Sequence, residues 1–169
     1  MNHFISSNRN ISRSVLVILS FTLLFIGCGE SSKSSKIDSY RVQVGSTNLN
    51  FKQQMLYVMV SLELYRLHTG AYPNETNNLD ALINQPEIIE ATGEWKGPYA
   101  LTDKVFSDPW NRRLIYSIDQ NGKVDLRSYG KDGAPSDDDI LAKDMFPDLF
   151  RELEKMPKLG PIPVVPQVE

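Results

Sequence analysis

The residues best equipped for chemistry lie in the run Tyr129-Gly130-Lys131-Asp132-Gly133-Ala134-Pro135-Ser136-Asp137-Asp138-Asp139-Ile140. Four carboxylates share this short stretch, and its two glycines and one proline let the backbone turn sharply. Calcium takes about six to eight hard oxygen ligands at flexible geometry, and a loop of this kind can aim carboxylates and backbone carbonyls at one point. The spacing is not that of an EF-hand, because no glutamate follows at the required offset. A second outcome fits the same residues: Ser136 or Asp137 caps a helix beginning near Asp138, whose first-turn acids the helix dipole favours. Composition alone leaves both open.

Other reactive groups are scarce. One cysteine rules out a disulfide framework or a multi-cysteine zinc cluster, and two histidines leave little for an imidazole metal site. His68, in the last turn of a helix, reads as a structural residue near solvent. There is no Gly-x-Ser-x-Gly elbow and no phosphate loop. Aspartates clustered in one loop suit a cation better than two acids held apart across a substrate. No enzyme is expected. A formal net charge of -3 offers no basic field for nucleic acid, and Arg112-Arg113 reads as a solvated strand start. Trp95, Tyr99 and Trp110 either form a carbohydrate platform or pin loops onto a small core.

The lone cysteine has its own context. Arg9 and Arg13 precede the apolar run Val15 to Gly27, which falls short of the ~20 residues a spanning helix needs and reads as an export signal. The run ends in Phe25-Ile26-Gly27-Cys28, which resembles a bacterial lipobox with Phe25 in place of the usual leucine. Cys28 is therefore expected to carry lipid, which anchors the chain to a membrane. Cleavage before Cys28 removes Arg9 and Arg13 and no acid, taking the formal charge from -3 to -5. The expected organisation is a lipoprotein-type signal peptide at 1–27, a flexible tether at 28–45, a globular domain at 46–156 and a Pro-rich tail at 157–169.

With 41% apolar residues in 169, the chain can build one modest core. Asn50 and Gln53 have the spacing of a capping box, and Phe51, Met55, Val58, Leu62 and Tyr65 then recur at helical steps. Leu56, Val60, Leu64 and Leu67 widen this stripe until most of the helix surface needs covering, by a sheet or by another copy of the protein. Gly70 ends the helix, and Pro73 prevents its resumption. A short second helix is predicted over Leu79 to Ile83. Leu114, Tyr116 and Ile118, then Val124 and Leu126, alternate on either side of Asn121-Gly122, predicting a hairpin with a type I′ turn. A final helix after Pro147 presents Leu149, Phe150 and Leu153. The order argues for an α+β fold, with a long N-terminal helix packed on a small antiparallel sheet.

Several segments in fixed order carry a resemblance. Leu64-Tyr65-Arg66-Leu67 with Gly70-Ala71-Tyr72-Pro73, then Asn78-Leu79-Asp80-Ala81-Leu82, Trp95-Lys96-Gly97-Pro98-Tyr99, Asp108-Pro109-Trp110-Asn111 and Asp125-Leu126-Arg127-Ser128-Tyr129-Gly130-Lys131-Asp132-Gly133 resemble the C-terminal globular domain of the major pseudopilin of bacterial type II secretion systems. The resemblance implies a calcium-binding loop after the hairpin. Asp132 matches the first ligand, Asp139 the last and Asp137 a middle one, with Tyr129 offering its carbonyl; the loop is shorter than the family's usual one, so Asp138 competes with Asp137. The filament-assembly start of that family is missing: Ser20 stands where a glycine precedes Phe21, and Phe25 where a glutamate belongs. The resemblance and the lipobox together imply a non-enzymatic, lipid-anchored structural or accessory component of a type II secretion or pilus-like system, with a calcium-stabilised loop and facing the periplasm or cell exterior. Its partners would be other secretion or pilus components, with self-association through the long apolar helix. A surface lipoprotein that reuses the domain to bind a ligand such as a glycan is the alternative.

Overall fold

The computed structural model describes residues 36–74, 78–87 and 94–156; the signal at 1–27, the lipidation site Cys28 and the tail at 157–169 lie outside them. A short helix α1 (Lys36–Ser39) leads into the hairpin β1 (Val42–Val44) and β2 (Thr47–Leu49), which turns at Gly45 with φ 59. Val42 and Val44 point into the core and Tyr40 donates its hydroxyl to the Ser107 carbonyl at 3.0 Å. Residues 40–45 of the span expected as a tether take part in this packing, because alternation of apolar and polar residues in β1 buries one face.

The long helix α2 (Phe51–Thr69) follows at once. Asn50 Oδ1 accepts from Gln53 N at 2.9 Å and Gln53 Oε1 from Asn50 N at 3.0 Å, so both halves of the capping box are present. Gly70 closes the helix in the left-handed region at φ 93, where its N–H reaches the Arg66 carbonyl. Phe51, Met55, Val58, Met59 and Leu62 are fully buried. Polar residues are buried on the same helix, and of them Gln54 is satisfied through Nε2 while its Oε1 has no hydrogen-bond partner among the described residues. Gln54 Nε2 donates to the carbonyls of Val105 (2.6 Å) and Ser107 (2.7 Å), and Ser61 Oγ to those of Tyr57 and Tyr99, both at 2.9 Å.

The predicted second helix is a 3-10 turn over Asn78–Leu82, which inserts Leu79 and Leu82 under α2, and a further 3-10 turn covers Asp103–Phe106. A three-stranded antiparallel sheet in the order β3 (Ile115–Ile118), β4 (Val124–Ser128), β5 (Ile140–Leu141) completes the domain, with Tyr116 opposite Leu126 and Ser128 opposite Ile140. The β3–β4 turn differs from the predicted type I′. Of Asn121 and Gly122 only Gly122 has positive φ, at 77. The Asp119 carboxylate accepts from Asn121 N and Lys123 N, both at 2.8 Å, while Gly122 N reaches the Asp119 carbonyl at 2.9 Å. This side-chain acceptor draws the chain into a type I turn with a left-handed glycine behind it. No helix begins at Asp138 either: the chain there enters β5, and α3 (Ala142–Met145) and α4 (Pro147–Lys155) come after it. Proline at the first position of α4 suits a site whose N–H has no helical acceptor.

Candidate functional site

The acidic loop leaves the end of β4 beside a second tight turn. Asp108, 1% exposed, accepts through Oδ1 from Trp110 N and Arg112 N, both at 2.9 Å, and through Oδ2 from Ser128 Oγ at 2.6 Å. One buried carboxylate thus ties the Asp108-Pro109-Trp110 turn to the last residue of β4. The turn is flanked by Asp108 N to the Arg112 carbonyl and Leu114 N to the Phe106 carbonyl, both 2.7 Å, which aim Arg112 at the acidic loop.

Within the loop, Gly133 N reaches the Tyr129 carbonyl at 3.0 Å. Gly130 (φ 53) has no room for a side chain because a Cβ would run into Asp138. Asp138, although exposed, is the carboxylate that bonds across the turn: Oδ2 accepts from Lys131 N at 2.7 Å and Asp132 N at 3.4 Å, and Oδ1 from Ser136 Oγ at 2.6 Å. The Ser136 hydroxyl first, then the Lys131 N–H, hold this carboxyl below the usual carboxylate range. Asp132 Oδ1 accepts from Ala134 N at 2.9 Å, closing its own small turn. Asp139 Oδ1 accepts from Ser136 N at 3.2 Å, and Oδ2 faces the Arg127 guanidinium at 3.5 Å. Asp137 is exposed.

The carbonyl side of the loop meets Arg112. Its guanidinium donates to the Gly130 carbonyl and, at 3.3 Å, to the Lys131 carbonyl. It lies 5.7 Å from the centre of the Trp110 ring, with Nε 3.6 Å from Asp108 Oδ2. The oxygen donors suit calcium in kind. Among the described residues no group of three aspartate, glutamate, histidine or cysteine side chains stands close enough to hold a metal ion. Asp137, expected as a middle ligand, and its neighbour Asp138 are both exposed, and Asp138 is the one that bonds across the turn. Arg112 is not the solvated strand start that the sequence suggests. The aspartate of an Asp-Pro-Trp turn, able to capture backbone N–H groups at its second and fourth followers, was the signal for it.

The aromatic residues divide between two places. Trp95 donates from Nε1 to the Ala81 carbonyl at 3.0 Å and meets Tyr99 edge to face at 5.7 Å between centres. Tyr99 accepts from Lys96 N at 2.8 Å and lies 3.1 Å from His68 Nδ1. These groups clip the 94–100 segment onto the end of α2. Trp110 instead lies under Arg112, so the structure joins Trp95 and Tyr99 as a loop clip and gives Trp110 a separate task. A third polar group escaped the sequence reading altogether: Glu63, 2% exposed, which pairs with Arg66 at 2.8 Å and accepts from the Tyr72 hydroxyl. Its partners Arg66 and Tyr72 line a cleft of about 620 Å³ together with Ile118, Lys123, Leu153 and Met156 among others.

Comparison with known proteins bears on this arrangement. Residues 34–144 match the family described as "Type II secretion system (T2SS), protein G". Over 83 residues the chain is 37% identical to the type II secretion system core protein G of Aeromonas hydrophila, covering 47% of this chain and 57% of that protein. It is 34% identical over 83 residues to the core protein G of Klebsiella pneumoniae, covering 47% and 58% respectively. The chain thus spans less than two thirds of the length of the curated relatives it matches. A crystal structure of the major pseudopilin from the type 2 secretion system of enterohaemorrhagic Escherichia coli aligns with a TM-score of 0.44 at 25% identity, covering 54% of this chain and 84% of that one. Proteins of this family are structural and non-enzymatic. The matched span runs from before β1 into α3 and takes in both the Asp108 turn and the acidic loop, and the chain belongs to the type II secretion system protein G family.

Proposed function

We propose that the protein is a structural or accessory component of a type II secretion or pilus-like machine, held at the cell envelope by a lipid on Cys28 and carrying a loop that calcium stabilises. The family match over residues 34–144 carries the first part. The lipobox-like Phe25-Ile26-Gly27-Cys28 supports the anchor, and the oxygen-rich loop with Asp132, Asp137, Asp138 and Asp139 supports calcium. In this reading the lipid replaces the apolar filament-forming start, and the domain works as a tethered subunit that contacts other components of the machine.

The decisive measurement is the intact mass of the protein extracted from its native membranes, with Cys28→Ser as control. An acylated N-terminus at Cys28 is expected, together with crosslinks to other secretion or pilus components. An unlipidated chain cleaved before Phe21 would replace the tethered reading with a filament subunit. For calcium, the expected result is a melting temperature that rises with the ion and falls in chelator, with roughly 2.7 kcal/mol gained at 100-fold saturation over Kd. An Asp132→Ala variant that keeps the parent's full response counts against the ligand assignment.

A further inference from the structure

We propose that Arg112 is the resident cation of the acidic loop, its guanidinium holding the carbonyl side of the turn closed before any divalent ion binds. The loop has two polar faces. On one, the backbone N–H groups of Lys131 and Asp132 point at the Asp138 carboxylate. On the other, the carbonyls of Gly130 and Lys131 point at the Arg112 guanidinium. Each face is met by an opposite charge from this same chain. A planar fork of N–H donors covers two neighbouring carbonyls, which an ammonium on a flexible stem cannot do with the same fit.

Two side chains flank the guanidinium, and one of them is itself anchored. The Trp110 ring backs it at 5.7 Å, Asp108 Oδ2 stands 3.6 Å from Nε, and Asp108 is itself buried and bonded to Ser128. Gly133 shows how tightly the loop closes around it: a Cβ there would collide with the Arg112 guanidinium, and φ is 77 besides. Arg127 plays no part in this contact, since it faces Asp125 and Asp139 on the other flank. Without Arg112 the Gly130 carbonyl, in a buried residue, loses its donor. The role stands whether or not calcium binds; where calcium does bind, it acts on a loop already closed, so its ordering effect is larger once residue 112 is neutral.

The test is hydrogen exchange read by mass spectrometry on the full-length, detergent-solubilised protein, in chelator and in calcium, comparing the parent with Arg112→Gln and Arg112→Lys. In chelator, amides of residues 130–134 are expected to exchange at least tenfold faster in Arg112→Gln than in the parent, and at an intermediate rate in Arg112→Lys, with those of α2 unchanged. Equal loop exchange in parent and Arg112→Gln in chelator overturns the proposal. So does a parent loop that exchanges freely in chelator and is protected only by calcium. If calcium alters neither protein while Arg112→Gln remains faster, the calcium part of the proposed function falls and the role of Arg112 stands. Should Arg112→Gln lose protection in α2 as well, Arg112→Lys decides: tenfold loosening confined to the loop supports the proposal, and parent-like protection overturns it.

Discussion

Glu63 is an acid on the buried face of an apolar helix, and it is tolerated because its charge is fully met. Arg66 reaches it with Nε at 3.0 Å and a second nitrogen at 2.8 Å, and the Tyr72 hydroxyl donates to its other oxygen. Burial first, and then the Glu63 charge, push the Tyr72 phenol well above its usual range. Removing one partner of such a pair strands the other. Arg66→Ala is expected to cost about 3 kcal/mol in urea unfolding, the low end for a buried pair because Arg66 is 13% exposed; a loss under about 1 kcal/mol would place the pair among ordinary surface bridges. Asp138 obeys the opposite exposure logic. Its folded pKa is depressed by the Ser136 hydroxyl and the Lys131 N–H, so its stabilisation is present above the unfolded value of about 3.9 and is lost as pH falls through the folded one. The melting-temperature gap between the parent and Asp138→Asn, open at pH 7, is expected to close as the solution is acidified past that point; a gap of constant size would assign it to something other than the carboxylate charge.

At the scale of elements, the caps and turns set what the strands and helices can do. The Asn50–Gln53 box starts α2 at the place where β2 ends, and Asn50→Ala is expected to cost about 1 kcal/mol by equilibrium unfolding. Gly122 has open space where a Cβ would stand but a φ of 77, so Gly122→Ala isolates backbone strain from packing. It is expected to destabilise by roughly 1–2 kcal/mol, whereas Gln120→Ala in the same turn changes stability little. The position of this hairpin was legible because the two alternating runs and the Asn-Gly pair are local signals. Its turn type was not, because the choice was made by Asp119, a residue that the dipeptide rule ignores. The start of β5 is hidden for a related reason: Ser136 to Asp139 have the composition of a helix start, but their side chains bond within the loop and leave Ile140 free to pair with Ser128.

At the scale of the molecule, the wide apolar stripe of α2 raised a choice between an intramolecular cover and a second copy. The fold covers most of the stripe: β1, the two 3-10 turns and the β3–β5 sheet join α2 in one core, while Val60, Leu64 and Leu67 stay half-buried. Among the described residues Leu101 is the one large apolar side chain that stands exposed, at 66%. Along α2, Tyr57, Val60, Leu64 and Leu67 are half-buried rather than fully covered, and they mark the strip through which self-association is expected. Leu62→Ala, in the middle of the core, is expected to cost about 2–5 kcal/mol, measured by the same unfolding transition as the cap variant.

The sequence by itself determined the α+β class, the ends of α2, the hairpin's place and the family, since each rests on periodicity, on partners within about four residues or on motifs in order. Tertiary structure alone decided which arginine faces the acidic loop, how polar groups are buried on α2 and where the chain before β1 docks. Those outcomes depend on contacts between distant residues: Arg112 with Gly130, 18 positions apart, Gln54 with Val105, 51 apart, and Tyr40 with Ser107, 67 apart. A carboxylate or guanidinium in a sequence shows its charge and reach, but its partner is chosen by whichever unsatisfied backbone group the closed chain brings beside it.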